Sequence, residues 1–354
     1  MPFLEANSLI RPINKGEILL KEYLLSTSRM NLGSSRSILF FILIMAGFML
    51  TYRQMNCKWI QYLARAMRLP FVAASALPFI FGSLLSKNNF NLLNFFLGLS
   101  AVIFTHLGAN LINDYADSKS GADWKDTGFY GFFGGSKLIQ SGVLTERFYF
   151  NLSITCFFIA AASVLTLAFI LKSPLTIFLY IGILLLAWSY SAKPLQFSYH
   201  RMGEIIIFIL FGPVPVMGGY FIQTKIFPTL EGFLLSLPFG FLTASILIAN
   251  EIPDLLQDKE AGKLTWVSLV NPETAFLLYL FLQLLAFQAI GLGIIMGYLN
   301  PIALFSFISV VFIIKAAGIL KESPGDKNKL VQSSKITIAV QALVSIVLIM
   351  GLAI

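Results

Sequence analysis

The chain has 354 residues, of which 57% are hydrophobic and only 12% charged. A soluble protein carries about a quarter charged residues, so a water-soluble globule is excluded. A mean hydropathy of +0.81 points the same way, to a polytopic membrane protein. Two cysteines, Cys57 and Cys156, and two histidines, His106 and His200, are too few for a disulfide framework or a zinc centre built from these residues.

Residues 1–57 form an N-terminal extension. Within it Ile38–Leu50 is a 13-residue apolar run between Arg36 and Arg53, short for a span and without a small-x-small cleavage site. It reads as an extra mismatched or interfacial helix, or as part of a leader upstream of a start at Met55, and no chemistry is assigned to it. The remainder, 58–354, reads as one transmembrane domain. A helix needs about 20 apolar residues to cross the hydrocarbon. Nine runs qualify: Leu69–Ser86, Leu92–Ile112, Phe148–Leu171, Pro174–Ala192, Gly203–Gln223, Leu230–Asn250, Thr274–Met296, Leu299–Gly318 and Ser333–Ile354.

The basic residues orient the bundle and explain the net charge of +8 without nucleic acid. The side holding the loops after even-numbered spans has Lys119, Lys125, Lys137, Arg147, Lys193, Arg201, Lys259, Lys263, Lys321, Lys327, Lys329 and Lys335. Lys58, Arg65 and Arg68, before the first span, join them. The other side has Lys87, Lys172 and Lys225. The first side is therefore expected to be cytoplasmic.

Acidic residues gather on that same face. Asp114, Asp117, Asp123, Asp126 and Glu146 lie in or beside the loop after the second span, and Glu251, Asp254, Asp258 and Glu260 in the loop after the sixth. At 100° per residue, His106, Asn110, Asn113 and Asp117 fall within about 60° of one another, with Asp114 about 40° further round. Asn250, Asp254 and Asp258 recur every four residues as a similar stripe. Both clusters begin Asn-x-x-x-Asp, a weak hint of duplication. Solvated loop acids account for one such cluster more easily than for two that match. Carboxylates packed together repel unless a cation compensates, and oxygen ligands of this kind suit Mg²⁺ shared with a substrate phosphate. The expected ligand is a magnesium-bound diphosphate.

Between Asp117 and Thr145 lie Gly121, Gly128, Gly131, Gly134, Gly135 and Gly142, interleaved with Trp124, Phe129, Tyr130, Phe132 and Phe133. Such a segment suits a greasy lid over an apolar ligand, or an interfacial aromatic belt. Lys119 and Lys137 are candidates for phosphate contact or plain topology signals.

Asn110-Leu-Ile-Asn-Asp-Tyr-Ala-Asp117, followed by Ser-Lys-Ser-Gly-Ala-Asp123, resembles the first aspartate-rich motif of the UbiA superfamily of intramembrane prenyltransferases. Asn250-Glu-Ile-Pro-Asp254-Leu-Leu-Gln-Asp258-Lys-Glu-Ala-Gly-Lys263 resembles the second. Arg68-Leu-Pro-Phe, Gly134-Gly-Ser-Lys-Leu-Ile-Gln-Ser-Gly142, Tyr190-Ser through His200-Arg-Met-Gly-Glu204, Phe211-Gly-Pro-Val and Gly219-Tyr-Phe-Ile-Gln-Thr224 lean toward the MenA-like branch, which prenylates 1,4-dihydroxy-2-naphthoate in menaquinone synthesis. The resemblance runs from about Ile60 to Ile354. It implies an all-α, nine-transmembrane-helix bundle with a cytoplasmic cap, lodged in a bacterial-type inner or plasma membrane.

It also implies roles. Asp114, Asp117, Asp254 and Asp258 would hold Mg²⁺ against a polyprenyl diphosphate, with Asp123 as a further metal ligand and Asn110, Asn113 and Asn250 assisting. Lys119 and Lys137 would meet the diphosphate, and Lys193, Arg201, Lys263 and Arg68 the diphosphate or an acceptor carboxylate, unless each simply marks the positive inner side. Glu204 would orient the aromatic acceptor or a basic partner. His106 would touch substrate, a carboxamide or a neighbouring helix. The second motif departs from the Asn-Asn-x-Arg-Asp of many relatives, so a basic residue is missing there, and Trp266-Val-Ser-Leu-Val also differs. Two alternatives stay open. Another prenyl acceptor, such as a different quinone precursor or a glycerol-phosphate lipid, would keep the metal site. A transporter would place its ionisable groups near the midplane, where these helices carry almost none.

Overall fold

The computed structural model describes residues 58–86, 89–124 and 126–353. The segment 38–50, Cys57, Lys87 and Lys125 lie outside these. The described residues are helical, joined by loops with a single isolated bridge between His200 and Leu264 and no strand.

The chain starts with α1 (Lys58–Ala66), bends at Arg68 through a short 3₁₀ turn, and continues as α2 (Ala73–Leu84). The two arms differ in direction by 50°. Arg68 takes a left-handed backbone at φ 52 and Pro70 sits in the turn that follows, so the bend is built where an extended helix cannot pass. Next comes α3 (Leu92–Ser120), whose Asn91 cap accepts the Asn94 amide and whose end is turned by Gly121 at φ 86. It runs two turns beyond the predicted Ile112 and carries Asp114 and Asp117 with it. α4 (Glu146–Leu171) packs along α3, and α5 (Leu175–Ser191) closes the first half.

α6 (Gly203–Phe211) and α7 (Pro213–Thr224) are broken at Gly212, where Pro213 removes a backbone donor. α8 (Leu230–Glu251) leads into the short α9 (Leu255–Glu260), then α10 (Ala275–Ile295), a 3₁₀ stretch continuing as α11 (Val310–Glu322), and α12 (Lys327–Ala353). Among the described residues seven helical runs are long and apolar enough to cross a membrane, or eight with the bent α1–α2 pair counted as one span. Leu175–Ser191 is apolar but only 17 residues long. Each of the nine predicted runs thus falls on helix, while the count of full-length spans is smaller than nine. The reason is the bend at Arg68 and the shortness of α5.

Helix contact inside lipid relies on close approach and polar pairing rather than hydrophobic exclusion. α2 crosses α7 backbone to backbone: a side-chain carbon added at Gly82 would stand 2.0 Å from the Val216 carbonyl oxygen. α12 contributes Ser333, Ser334, Thr337, Gln341 and Ser345, all fully buried. Thr337 Oγ1 donates to Tyr279 Oη at 3.3 Å, and Gln283 Nε2 donates to Ser245 Oγ at 2.8 Å. Outward-facing positions such as Phe169 and Ile295 are 85% and 84% exposed, as lipid contact requires.

Candidate active site

A cavity of about 450 Å³ lies inside the bundle, lined by α2 through α8 and almost wholly apolar. Its walls include Phe71, Phe79, Phe211, Phe221 and Leu247, while Arg68, Asn110, Asn113, Phe132, Tyr190 and Asn250 mark its polar mouth. Along α3 the lining runs from Asn113 back to Gly98, about 22 Å at 1.5 Å per residue. The chamber is long, mainly apolar and polar at one end. His106 forms part of its wall, with Nδ1 2.8 Å from Ser75 Oγ and its ring edge-on to Phe211. It is an interhelical histidine that also faces the cavity.

Above the mouth the two acidic clusters meet. Asp114 pairs with Arg68 and accepts the Ser136 amide at 3.0 Å. The left-handed backbone at Arg68, uncommon for a residue with a Cβ, aims the guanidinium at that carboxylate. Asp117 accepts from Tyr199 Oη at 2.9 Å and from Asn113 Nδ2 at 3.3 Å. Asp123 is held by Lys137 Nζ at 2.8 Å. From the second cluster, Asp254 accepts the Gly134 amide at 2.8 Å and faces Lys327 Nζ at 3.3 Å. Asp258 faces Lys263 Nζ at 3.4 Å.

The Gly134–Lys137 stretch of the glycine-rich loop therefore grips both clusters at once. Gly134 and Gly135 sit at φ 71 and 75, a left-handed pair that only glycine adopts without strain. That turn points the Gly134 and Ser136 amides at acids on opposite sides of the site. Phe132 lines the cavity below, and Tyr130 stacks on Phe133 with centroids 5.0 Å apart. The loop is a cover whose backbone, more than its aromatic side chains, engages the acids.

The electrostatics confirm that the clusters share one neighbourhood. Burial, reinforced by Asp117 and Asp114, pushes the Asp123 carboxyl up to about 7 despite Lys137. Burial also lifts Asp258 to about 6 against the pull of Lys263, with Asp254 and Asp117 adding to the rise. Asp254 is raised by burial even beside Lys327 and Lys263. Burial disfavours the Lys263 charge, but Asp258 and Asp117 outweigh it and hold this ammonium well above its usual range. Asp117, from the first cluster, thus acts on Lys263 and Asp258 from the second.

Among the described residues no three acidic, histidine or cysteine side chains stand close enough to cage an ion unaided. The donor set nevertheless fits Mg²⁺. That ion is held by one or two carboxylates plus substrate phosphates and water, and this site offers carboxylates on two sides of one mouth with a surplus of negative charge to offset.

Several expected contacts fall elsewhere. Lys119 is half-exposed and paired at 2.6 Å with Glu146 rather than with an aspartate of the cluster. Lys193 and Arg201 are exposed on the loop after α5, and Arg201 contributes only backbone, its carbonyl accepting from the Trp266 indole at 3.1 Å. Glu204 is 1% exposed and accepts the Trp266 amide. It thereby anchors the loop that follows Lys263 and does not line the cavity. The Asn250–Asp258 stripe is not one helix face, because Pro253 ends α8 at Glu251 and α9 begins at Leu255. Asn110, Asn113 and Asn250 do line the mouth, donating to the Met67 carbonyl at 3.2 Å, donating to Ser191 Oγ at 2.9 Å, and accepting from Ser334 Oγ at 2.8 Å respectively.

Two groups at the site went unread in the sequence. Tyr199 signals itself only as an aromatic in a polar loop. Lys327 opens α12, and nothing local ties it to Asp254, 73 residues earlier.

Residues 75–339 match the model of the UbiA prenyltransferase family. The chain is 26% identical to 1,4-dihydroxy-2-naphthoate octaprenyltransferase of Mycobacterium tuberculosis, over 66% of this chain and 76% of that one. It is 30% identical to human UbiA prenyltransferase domain-containing protein 1, over 64% and 67%. Its fold is that of a UbiA homolog from Archaeoglobus fulgidus solved bound to GPP and Mg²⁺, at a TM-score of 0.55 and 17% identity, covering 82% of this chain and 99% of that one.

Proposed function

The chain belongs to the UbiA prenyltransferase family and is a membrane prenyltransferase; on that premise we propose that it transfers a polyprenyl group from a polyprenyl diphosphate to 1,4-dihydroxy-2-naphthoate, on the cytoplasmic face of a bacterial-type membrane. The observation that carries this reading is the loop at Gly134–Lys137, which bonds acids of both clusters directly above an elongated apolar cavity. An apolar tail below and an anionic head above match that division. Naphthoate as acceptor is supported by the mycobacterial relative's name and by the sequence features of the same branch.

Asp114, Asp117, Asp254 and Asp258, with Asp123, would hold Mg²⁺. When bound, the ion supplies Lewis-acid neutralisation of the leaving diphosphate, worth several kcal/mol. The chain's own residues do the rest. Asn110, Asn113 and Asn250 present amide groups at the mouth to the diphosphate or the acceptor. Arg68, Lys137 and Lys263 supply positive charge at the same level. Phe71, Phe79 and Phe211 exclude water from the allylic carbon as its bond to oxygen breaks, and π faces stabilise the cation that forms. The electron-rich ring then attacks that carbon. With dihydroxynaphthoate, the carboxylate on the attacked carbon departs as carbon dioxide, which restores aromaticity.

The test is a reaction of the purified chain in lipid with prenyl diphosphates and a panel of acceptors, read by mass spectrometry. Decarboxylated, prenylated naphthoquinol is the expected product. Product only with a different quinone precursor or with a glycerol-phosphate lipid would replace the acceptor, and metal-independent movement of substrate without product would replace the reaction.

A further inference from the structure

We propose that Lys327, at the start of α12, binds the diphosphate of the prenyl donor from its place beside Asp254. The inference rests on the reading of the site as one for a prenyl diphosphate. The stretch Asn250–Asp258 contains no basic residue. Of the next two lysines, Lys259 is exposed and Lys263 stands 3.4 Å from Asp258, so the direct cationic partner of Asp254 comes from elsewhere in the chain.

Lys327 reaches the cluster from a helix remote in sequence. Its Nζ donates to Asp126 Oδ2 at 2.7 Å and to Asp254 Oδ1 at 3.3 Å, and lies 5.3 Å from the Tyr130 ring centre. The side chain is 17% exposed, so the ammonium is held in place yet reachable. An ammonium has three donors, and two carboxylates use two of them. The Gly134 amide takes the second oxygen of Asp254, so Lys327 and the cover loop hold the two oxygens of one carboxylate. A compact point charge in that place is a phosphate ligand of ordinary kind.

The rival role is a latch. Lys327 ties Asp126, in the cover loop, to Asp254 in the second cluster, and that alone would order the cover. The two roles give opposite signs for one substitution. If Lys327 is a diphosphate ligand, removing Asp126 releases a competitor for its charge; if it is a latch, removing Asp126 breaks it as surely as removing the lysine.

The experiment measures binding of inorganic pyrophosphate and of geranyl diphosphate, each with Mg²⁺, to the purified full chain by calorimetry, without acceptor. Lys327→Met is expected to weaken both by at least about tenfold, the scale of one charge-assisted hydrogen bond. Lys327→Arg should stay within a few-fold of wild type and shows that the position tolerates exchange. Asp126→Asn should bind as well as wild type or tighter. In turnover, Lys327→Met should raise KM for the donor and leave KM for the acceptor unchanged. Wild-type affinity in Lys327→Met, or equal weakening in Asp126→Asn, overturns the assignment and leaves the prenyl-donor reading standing. Failure of the wild-type chain to bind either diphosphate overturns both.

Discussion

The amide of Gly134 donates to Asp254 at 2.8 Å across 120 residues of chain, and two residues later the amide of Ser136 donates to Asp114 at 3.0 Å. One short backbone turn therefore fixes the spacing between the two acidic clusters. Its geometry depends on left-handed φ angles at Gly134 and Gly135.

That dependence separates two alanine substitutions. At Gly134 an added Cβ meets nothing closer than 3.7 Å, so Gly134→Ala carries only the backbone penalty, roughly 1–2 kcal/mol. At Gly135 the Cβ would also stand 2.5 Å from Asp123 Oδ2 and push that carboxylate off Lys137. Gly135→Ala is expected to lose at least about tenfold more turnover than Gly134→Ala, an added cost on the order of 1.4 kcal/mol. Equal losses in a steady-state prenyl-transfer assay would show that the Asp123–Lys137 contact is dispensable.

Removing charge from either cluster should be as damaging as removing it from the other. Asp114→Asn and Asp254→Asn each remove a carboxylate charge proposed to face the metal, the first leaving Arg68 without its anionic partner and the second leaving Lys327 with Asp126 alone. Turnover should fall by at least about 10² in each, the scale of losing one electrostatic stabiliser of the transition state. Chelation of divalent ions should abolish product in wild type, and added Mg²⁺ should restore it. Full activity in chelator would remove the metal from the mechanism.

Tyr199 tests whether the groups behind the acids matter. Its hydroxyl donates to Asp117 at 2.9 Å and lies 2.7 Å from Ser120 Oγ. Tyr199→Phe keeps the ring and deletes that donor. Outer partners of metal ligands typically change metal affinity by about 10–100-fold, so the half-saturating Mg²⁺ concentration should rise by that order while donor chain-length preference stays put. An unchanged Mg²⁺ titration would reduce Tyr199 to a packing role.

Much of this arrangement was legible in the sequence, for a local reason. The apolar runs and the acidic clusters are properties of contiguous residues, and the parity of spans between Asp114 and Asp254 places both on one face. The Arg68-Leu-Pro-Phe bend and the break at Pro253 carry their own signals, though the second was read as a continuous stripe. What escaped depends on tertiary reach. Lys327 looked like any lysine that marks the inner side of a span. Glu204 looked like an acid near substrate, because its burial against the Trp266 amide cannot be seen from its neighbours in sequence. Gly134 and Gly135 announced a flexible cover, whereas the structure uses them to aim backbone donors.

Two lysines beside the first cluster should respond unlike each other. Lys119 is 56% exposed and paired with Glu146, itself partly exposed. Such surface pairs contribute little, so Lys119→Ala should lower turnover a few-fold at most. Lys137 is 4% exposed and donates to both the carbonyl and the carboxylate of Asp123. Lys137→Ala leaves that carboxylate buried without its cation and should abolish most turnover. A similar response from both would mean that the cover loop does not distinguish them.

The cavity itself should set which donors fit. Gly218 lies on α7 and lines the chamber, and a Cβ built there meets no atom within 4 Å. Gly218→Leu therefore places its Cβ in open space and extends into the chamber, and removing glycine from a helix interior favours folding by roughly 0.5–1 kcal/mol on the alanine scale. The variant should fold at least as well as wild type, checked by thermal unfolding. It should use the shortest prenyl diphosphates as before and raise KM for the longest by about tenfold or more, since a buried methylene displaced from an apolar pocket costs about 0.8 kcal/mol and a long tail displaces several. An identical chain-length profile in Gly218→Leu would mean that the tail leaves the bundle before reaching α7, and the lipid-facing side would then have to hold it.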